Sequence, residues 1–190
     1  MALAAYARVT EEEYLARERC AETKSEFVNG EIFAMSGARE PHNLVAMNVG
    51  ASLHSQFRGR PCRVYGSDMR VRVSATGLNT YPDVSALCGP PRFHDAIRDT
   101  LLNPQVLVEV LSESTEAWDR GGKWEHYQRL ESLTDYLLIA QDRVRVEHFT
   151  RGPDGAWTCR EYTRMEEVIE LQSVGARLEV EAMYDKVIFP

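Results

Sequence analysis

Residues 105–115, QVLVEVLSEST, constrain the fold more than any other stretch. Val106, Leu107, Val108, Val110 and Leu111 form a short, mostly β-branched apolar run, the pattern of a strand buried on both faces. STEAWDRGGKWEHYQRL follows and reads as a helix loosened by Gly121 and Gly122; DYLLIAQ then reads as a second buried strand. Strand, helix and strand in succession commit this part of the chain to an α/β layering. One residue in the first run is out of character. Glu109 lies among aliphatic side chains, and a carboxylate taken out of water needs an ion-pair partner, a proton or a metal.

The flanking segments carry plain local signals. In TEEEYLARER, Thr10 and Glu13 have capping-box spacing, which starts a first helix. Asn29-Gly30 separates two β-rich runs in EFVNGEIFAM, a two-residue hairpin signal. PHNLVAMNVGASLHSQFRG begins with Pro41, ends with Gly59, and repeats Val45, Val49, Leu53 and Phe57 along one helical face. CRVYGSDMRVRV, YPDVSALCG and QVLVEVLS read as three strands. The last two are separated by PPRFHDAIRDTLLNP, a loop with room for one helical turn. RVRVEHFTR and AWTCREYT bracket Pro153, Asp154 and Gly155 as a hairpin, and a short acidic strand and RLEVEAMYDKVIF close the chain. The 190 residues contain no repeat or linker-like segment, so a single α/β domain over 1–190 is expected, with a mixed sheet, appended hairpins and a flexible N-terminus over 1–9.

A formal charge of −7 argues against general, charge-driven binding to nucleic acid. The charge is segregated, however. Between Phe57 and Val73, Arg58, Arg60, Arg63, Arg70 and Arg72 face a single acid, Asp68, whereas 161–186 is acidic. Arg70 and Arg72 are candidates for gripping a nucleic-acid backbone; solvated surface arginines are the plainer alternative. No run approaches the roughly 20 apolar residues that span a bilayer, and the N-terminus lacks the basic region of an export signal. The four cysteines are widely spaced without a CxxC pair, so reduced thiols in a cytoplasmic protein are expected, without a disulfide framework or zinc site.

Alternation places the polar residues. In SDMRVRV, Asp68, Arg70 and Arg72 fall opposite Met69, Val71 and Val73. Pro82 marks a strand start or edge, with Asp83 near that end. Glu109 shares a face with Leu107 and Leu111. If these strands are neighbours, Asp83 and Glu109 approach each other, and two close carboxylates invite a divalent cation, Mg²⁺ being the natural choice for oxygen ligands. Each residue also has a plainer reading: Asp after Pro is ordinary turn chemistry, and an arginine on the next strand would neutralise Glu109. Lys123 lies near the start of the helix after Glu109, in position to orient a water or stabilise charge on a phosphate, unless it is simply solvated. Asp119, Arg120 and Tyr127 belong to the same stretch.

Taken together, YPDV, LVEVLS and DRGGKWEHY resemble the Uma2 (DUF820) family of bacterial endonucleases in the PD-(D/E)XK superfamily. KSEFVNGEIFAMSG, HN, GRPCRVYGSDMRVRV, NPQVLVEVLSEST, YLLIAQ and LEVEAMYDKV follow the same pattern in order, from Thr10 nearly to the end. The resemblance implies a restriction-endonuclease-like core: a mixed central sheet flanked by helices, with appended hairpins. It implies Mg²⁺-dependent hydrolysis of DNA phosphodiesters, with Mn²⁺ as a substitute. Asp83 and Glu109 match the two metal-binding acids, assisted by the Val110 carbonyl. The usual lysine two residues after the glutamate is replaced by Leu111, and Lys123 matches the family's helical lysine. Two departures stand out: Glu113 where proline is usual, and Gly122 where an acid is usual.

Glu31, His42 and Asp68 are further candidates. Glu31 follows the hairpin turn with Ile32 on the opposite face; His42 sits just inside a helix start; Asp68 joins the site or pairs with Arg70. A hairpin-surface Glu and a solvent-facing His are the competing readings. Two rival functions are carried forward: a catalytically inactive interaction protein on a nuclease scaffold, and a metal-dependent hydrolase of RNA or a small phosphoester. Cutting both strands of a duplex would suit a homodimer.

Overall fold

The computed structural model of the protein describes residues 8–189. Thr10 Oγ1 accepts the Glu13 N–H (3.2 Å) and the Glu13 carboxylate accepts the Thr10 N–H (2.9 Å), the reciprocal cap that starts α1 (Glu11–Glu18). Strands β1 (Ser25–Val28) and β2 (Glu31–Ala34) pair antiparallel around Asn29 and Gly30, whose φ values of 53° and 88° suit a tight hairpin turn. Of the expected flexible stretch 1–9, residues 1–7 lie outside the described residues, while the Val9 N–H donates to the Gly30 carbonyl (3.0 Å). Helix α2 (Glu40–Phe57) buries Val45, Val49, Leu53 and Phe57, the face read from the four-residue repeat. Each such apolar side chain contributes about 1.5–3 kcal/mol by leaving water.

CRVYGSDMRVRV is two strands rather than one. β3 (Cys62–Gly66) and β4 (Arg70–Val73) are parted by a turn closed by the Met69 N–H on the Gly66 carbonyl (3.1 Å), and they enter different sheets. Alternating residues run through both strands and conceal the break, which Gly66-Ser67-Asp68 marks as turn chemistry. β5 (Leu78–Thr80) belongs with β4; Tyr81-Pro82-Asp83 then crosses to the other sheet, where β6 (Val84–Cys88) begins. The loop before residue 105 has no helical turn. It carries instead the short strand β7 (Thr100–Leu101), parallel to β4. After β8 (Val106–Leu111) come α3 (Glu116–Trp118), a π-helical turn (Asp119–Lys123) and α4 (Trp124–Tyr127). Then follow β9 (Asp135–Ala140), β10 (Val146–Arg151), β11 (Trp157–Tyr162), β12 (Val168–Leu171), β13 (Ala176–Glu179) and α5 (Val180–Met183).

The central mixed sheet runs β11-β10-β9-β8-β6-β3, a second sheet runs β2-β1-β5-β4-β7, and β12-β13 form a separate hairpin. β8 and β9 are parallel, as a helical crossover requires. The parity of β8 divides the interior. Val106, Val108 and Val110 pack with α2, the β12-β13 hairpin and α5, while Leu107 and Leu111 pack with α4 and the second sheet's Val28, Val71, Val73 and Leu78. Glu109 belongs by parity to the inter-sheet side. Cys62 and Cys88, expected as free thiols, are register partners in β3 and β6 and form a disulfide; Cys20 and Cys159 are exposed thiols. Their separation of 26 residues conceals a neighbour relation that only strand pairing creates. Among the described residues no helix is long and apolar enough to cross a membrane.

Candidate active site

Glu109 finds its partner in Lys123. The Lys123 ammonium lies 3.3 Å from Glu109 Oε1, 3.0 Å from Asp119 Oδ1 and 3.0 Å from Glu26 Oε1. The side chains are 5% (Lys123), 5% (Glu109), 2% (Asp119) and 10% (Glu26) exposed, so one cation meets three carboxylates almost out of contact with water. Asp119 and Lys123 come from the two ends of the π-helical turn, a distortion that recurs at functional sites. Tyr127, four residues beyond Lys123, donates its hydroxyl to Glu109 Oε1 (2.7 Å). Glu26 comes from the second sheet. It accepts the Thr80 hydroxyl on Oε1 and the Trp118 indole N–H on Oε2 (3.0 Å). Lys123 thus ties the two sheets together across their shared interior.

Asp83 arrives by a different route. The β6–β8 ladder pairs Ala86 with Val106, Ser85 with Leu107 and Val84 with Val108, and there it stops. Asp83 Oδ2 then accepts the Val110 N–H (2.7 Å), so a side chain takes the place of the next rung. His42, in the first turn of α2, places Nε2 3.2 Å from the same oxygen. Asp83 and Glu109 therefore meet at residues 109–110.

The electrostatics follow from this crowding. Burial, reinforced by the charges of Asp119 and Asp83, holds the Glu109 carboxyl well above the usual carboxylate range despite Lys123 and Tyr127. Burial also raises Asp119. Lys123 is raised too: burial opposes its charge, but Glu109, Asp119 and Glu26 outweigh it. Burial and the Glu109 charge push the Tyr127 phenol upward. The cluster holds more negative charge than its single ammonium offsets, and only a retained proton or an added cation relieves the surplus.

Among the described residues, no three His, Cys, Asp or Glu side chains converge as a metal-binding group. The donors that are present suit a hard cation nonetheless. Glu109 uses Oε1 for Lys123 and Tyr127, and Asp83 uses Oδ2 for Val110 and His42; Oε2 and Oδ1 accept no hydrogen bond from the described residues. The Val110 carbonyl leaves its strand on the same side as its N–H, toward Asp83 and beyond the last β6 rung. Two carboxylate oxygens and a carbonyl match Mg²⁺, which keeps several of its waters.

Other expectations give way. Arg70 and Arg72 are not free to grip phosphate. Arg70 is 2% exposed, bound to Asp99 and Thr100 (3.0 Å each), and packed over the Tyr14 and Tyr81 rings. Arg72 forms a two-nitrogen ion pair with the Glu11 carboxylate. Asp68 is exposed and pairs with Lys24 (3.0 Å) rather than with Arg70 or the cluster. Glu31 is exposed on the edge strand β2, not directed inward. Sequence reading passed over Glu26, Thr80 and Trp118. The local signal for Glu26 was weaker than that for Glu109, because it precedes Phe27 and Val28 but follows Lys24 and Ser25.

Comparison with known proteins identifies relatives of the chain as a whole. Residues 11–181 match the family Uma2, described as "Putative restriction endonuclease". Two uncharacterized proteins of Synechocystis sp. are similar: one is 32% identical, covering 98% of this chain and 96% of the relative, and the other is 36% identical, covering 80% and 86%. A solved structure of a "putative nuclease belonging to DUF820" from Anabaena variabilis superposes with a TM-score of 0.76 over 95% of this chain and 99% of that one. At 16% identity that last likeness speaks for a shared fold alone. The match over residues 11–181 leads to one conclusion: the chain belongs to the Uma2 family.

Proposed function

We propose that the protein is a Mg²⁺-dependent endonuclease that hydrolyses phosphodiester bonds in DNA, with Mn²⁺ able to substitute. The observation that carries this reading is the meeting of Asp83 and Glu109 at residues 109–110, each with one oxygen that accepts no hydrogen bond from the described residues, beside the Lys123 ammonium. Asp83 Oδ1, Glu109 Oε2 and the Val110 carbonyl would hold the metal. When bound, the metal supplies a polarised phosphate oxygen and a water of lowered pKa. Tyr127 and Lys123 keep Glu109 Oε1 engaged and so fix the orientation of the carboxylate. Lys123 is the charge available to the attacking water or to the phosphate's developing charge. His42, 3.2 Å from Asp83 Oδ2, would accept a proton or contact a phosphate oxygen there. Cleavage of both strands would call for two sites related by a two-fold axis, hence a homodimer.

One observation favours a second reading, a non-catalytic interaction protein on the same scaffold: Lys123 is enclosed by three carboxylates. Incubation with supercoiled plasmid, single-stranded DNA and RNA in Mg²⁺ or Mn²⁺ separates these readings. Cleavage of DNA that disappears in Asp83→Ala and Glu109→Ala supports the proposal. Cleavage surviving both substitutions, or absence of both cleavage and calorimetric metal binding, overturns it; activity on RNA alone moves the substrate class.

A further inference from the structure

Gly122 lies within the π-helical turn, and Trp118 occupies the room it leaves. A Cβ on Gly122 would lie 1.8 Å from Trp118 Cζ3 and 2.1 Å from Cε3, so the indole rests directly against bare backbone. No other residue type tolerates that approach. In this slot the Trp118 Nε1–H reaches Glu26 Oε2 at 3.0 Å. Glu26 is buried, and its other oxygen, Oε1, takes the Thr80 hydroxyl and faces Lys123 Nζ at 3.0 Å. A continuous series of contacts therefore runs from Gly122 through Trp118 and Glu26 to Lys123 and Glu109.

We propose that Trp118 is a positioning residue: seated against Gly122, its indole N–H fixes Glu26, which in turn holds the Lys123 ammonium midway between the two sheets. This inference rests on the reading of Lys123 as the cation that serves phosphoryl transfer. The physical argument is a competition for one flexible cation. Lys123 has four side-chain torsions and three acids to choose from. With Oε2 of Glu26 occupied by the indole, Oε1 is presented to Lys123 at a fixed point. Without that hydrogen bond the Glu26 carboxylate can rotate away, and the ammonium settles onto Asp119 and Glu109. Glu109 is then more fully neutralised, and the ammonium leaves the point at which Glu26 holds it. An indole donor to a carboxylate is a charge-assisted bond, strong enough to make this choice.

The test combines kinetics with a direct view of the hydrogen bond. The chain has three tryptophans, and Trp124 and Trp157 pack on each other at 4.8 Å, so three indole N–H resonances are available in ¹H–¹⁵N spectra of the full chain. Trp118→Phe identifies the Trp118 resonance by its loss. Glu26→Gln should shift that resonance and leave the other two in place. Trp118→Phe keeps a ring in the slot but removes the donor, so kcat on DNA should fall by about 10- to 100-fold with KM unchanged, the range for groups that orient a ligand from behind. Gly122→Ala should displace the indole and lower both stability and kcat. Adding Trp118→Leu should restore the melting temperature but not kcat, which separates packing from the hydrogen bond. A Trp118 resonance indifferent to Glu26→Gln, or a Trp118→Phe protein that cuts at the wild-type rate, overturns the inference while leaving the nuclease reading intact. A wild-type protein that cuts nothing overturns the nuclease reading, and the positioning role falls with it even if the resonance shifts.

Discussion

The interior holds charge in two contrasting ways, one around Arg70 and one around Lys123. At Arg70 cations and acids are matched: Arg70 and Arg19 share Asp99, Arg19 also takes Asp95, and Arg72 takes Glu11. At Lys123 one ammonium faces Glu26, Glu109 and Asp119, with Asp83 close behind. The carboxylates record the difference. Hydrogen bonds from Arg19, with help from Thr100 and the Arg70 charge, bring Asp99 down to about 2, whereas burial and neighbouring acids push Glu109 up. A lowered carboxylate marks an ion pair completed within the protein. A raised one marks burial that the neighbouring cation does not offset, a condition found at sites that take up a proton or a cation. Buried ion pairs are therefore poor guides to function unless their signs are counted.

The sharpest way to break this contrast is to remove one member of each cluster. Glu109→Ala should lower DNA cleavage by about a thousandfold or more, whereas Arg70→Met should cut at the wild-type rate per folded molecule and lose about 2–3 kcal/mol of stability in urea unfolding. Equal effects on cleavage would erase the distinction. Next in size, Lys123→Met leaves three acids without their cation and should destabilise the protein by about 3–5 kcal/mol near neutral pH. Added Mg²⁺ should recover part of that loss, as read by thermal melts, because a cation then offsets the surplus.

A pH comparison sharpens the same point. Glu109 holds its proton more tightly in the folded chain than its ordinary value of 4.5 implies, so the folded state binds more protons than the unfolded one. Stability from this group falls as pH rises above that value toward the folded pKa. Glu109→Gln has no such loss and should gain on the wild type across that window, measured as melting temperature against pH without divalent cations. A constant difference at every pH would argue against a raised carboxyl. The smallest effect belongs to Arg72→Ala. Its partly exposed pairing with Glu11 should be worth about 1 kcal/mol and fade as salt rises.

Much of this was legible in the sequence because the signals were local. The capping box of Thr10 and Glu13, the Asn29-Gly30 turn, the buried face of α2 and the parity of β8 all depend on spacing within one element. Asp83, Glu109 and Lys123 could be nominated because each is anomalous or motif-bearing in its own strand or helix. The losses came where partners are distant. Arg70 and Arg72 looked available because nothing in MRVRV announces Asp99 or Glu11. Cys62 and Cys88 become neighbours only through the β3–β6 register. Glu26 joins the cluster only because a second sheet, of which the sequence announced the Asn29-Gly30 hairpin but not the closure, covers the first.

The last rung of the β6–β8 ladder carries a consequence for how this chain can vary. Each β8 residue looks either toward α2 or toward the second sheet, so one codon gained or lost just ahead of Val106, absorbed as a slip along the strand, would invert all six positions. A valine would then stand before Lys123, and the glutamate would be driven among aliphatic side chains with no counterion. The loop leading into β8 can lengthen or shorten only where the change is taken up before the strand begins, which makes the reading frame of a single strand the gatekeeper of the whole charge cluster.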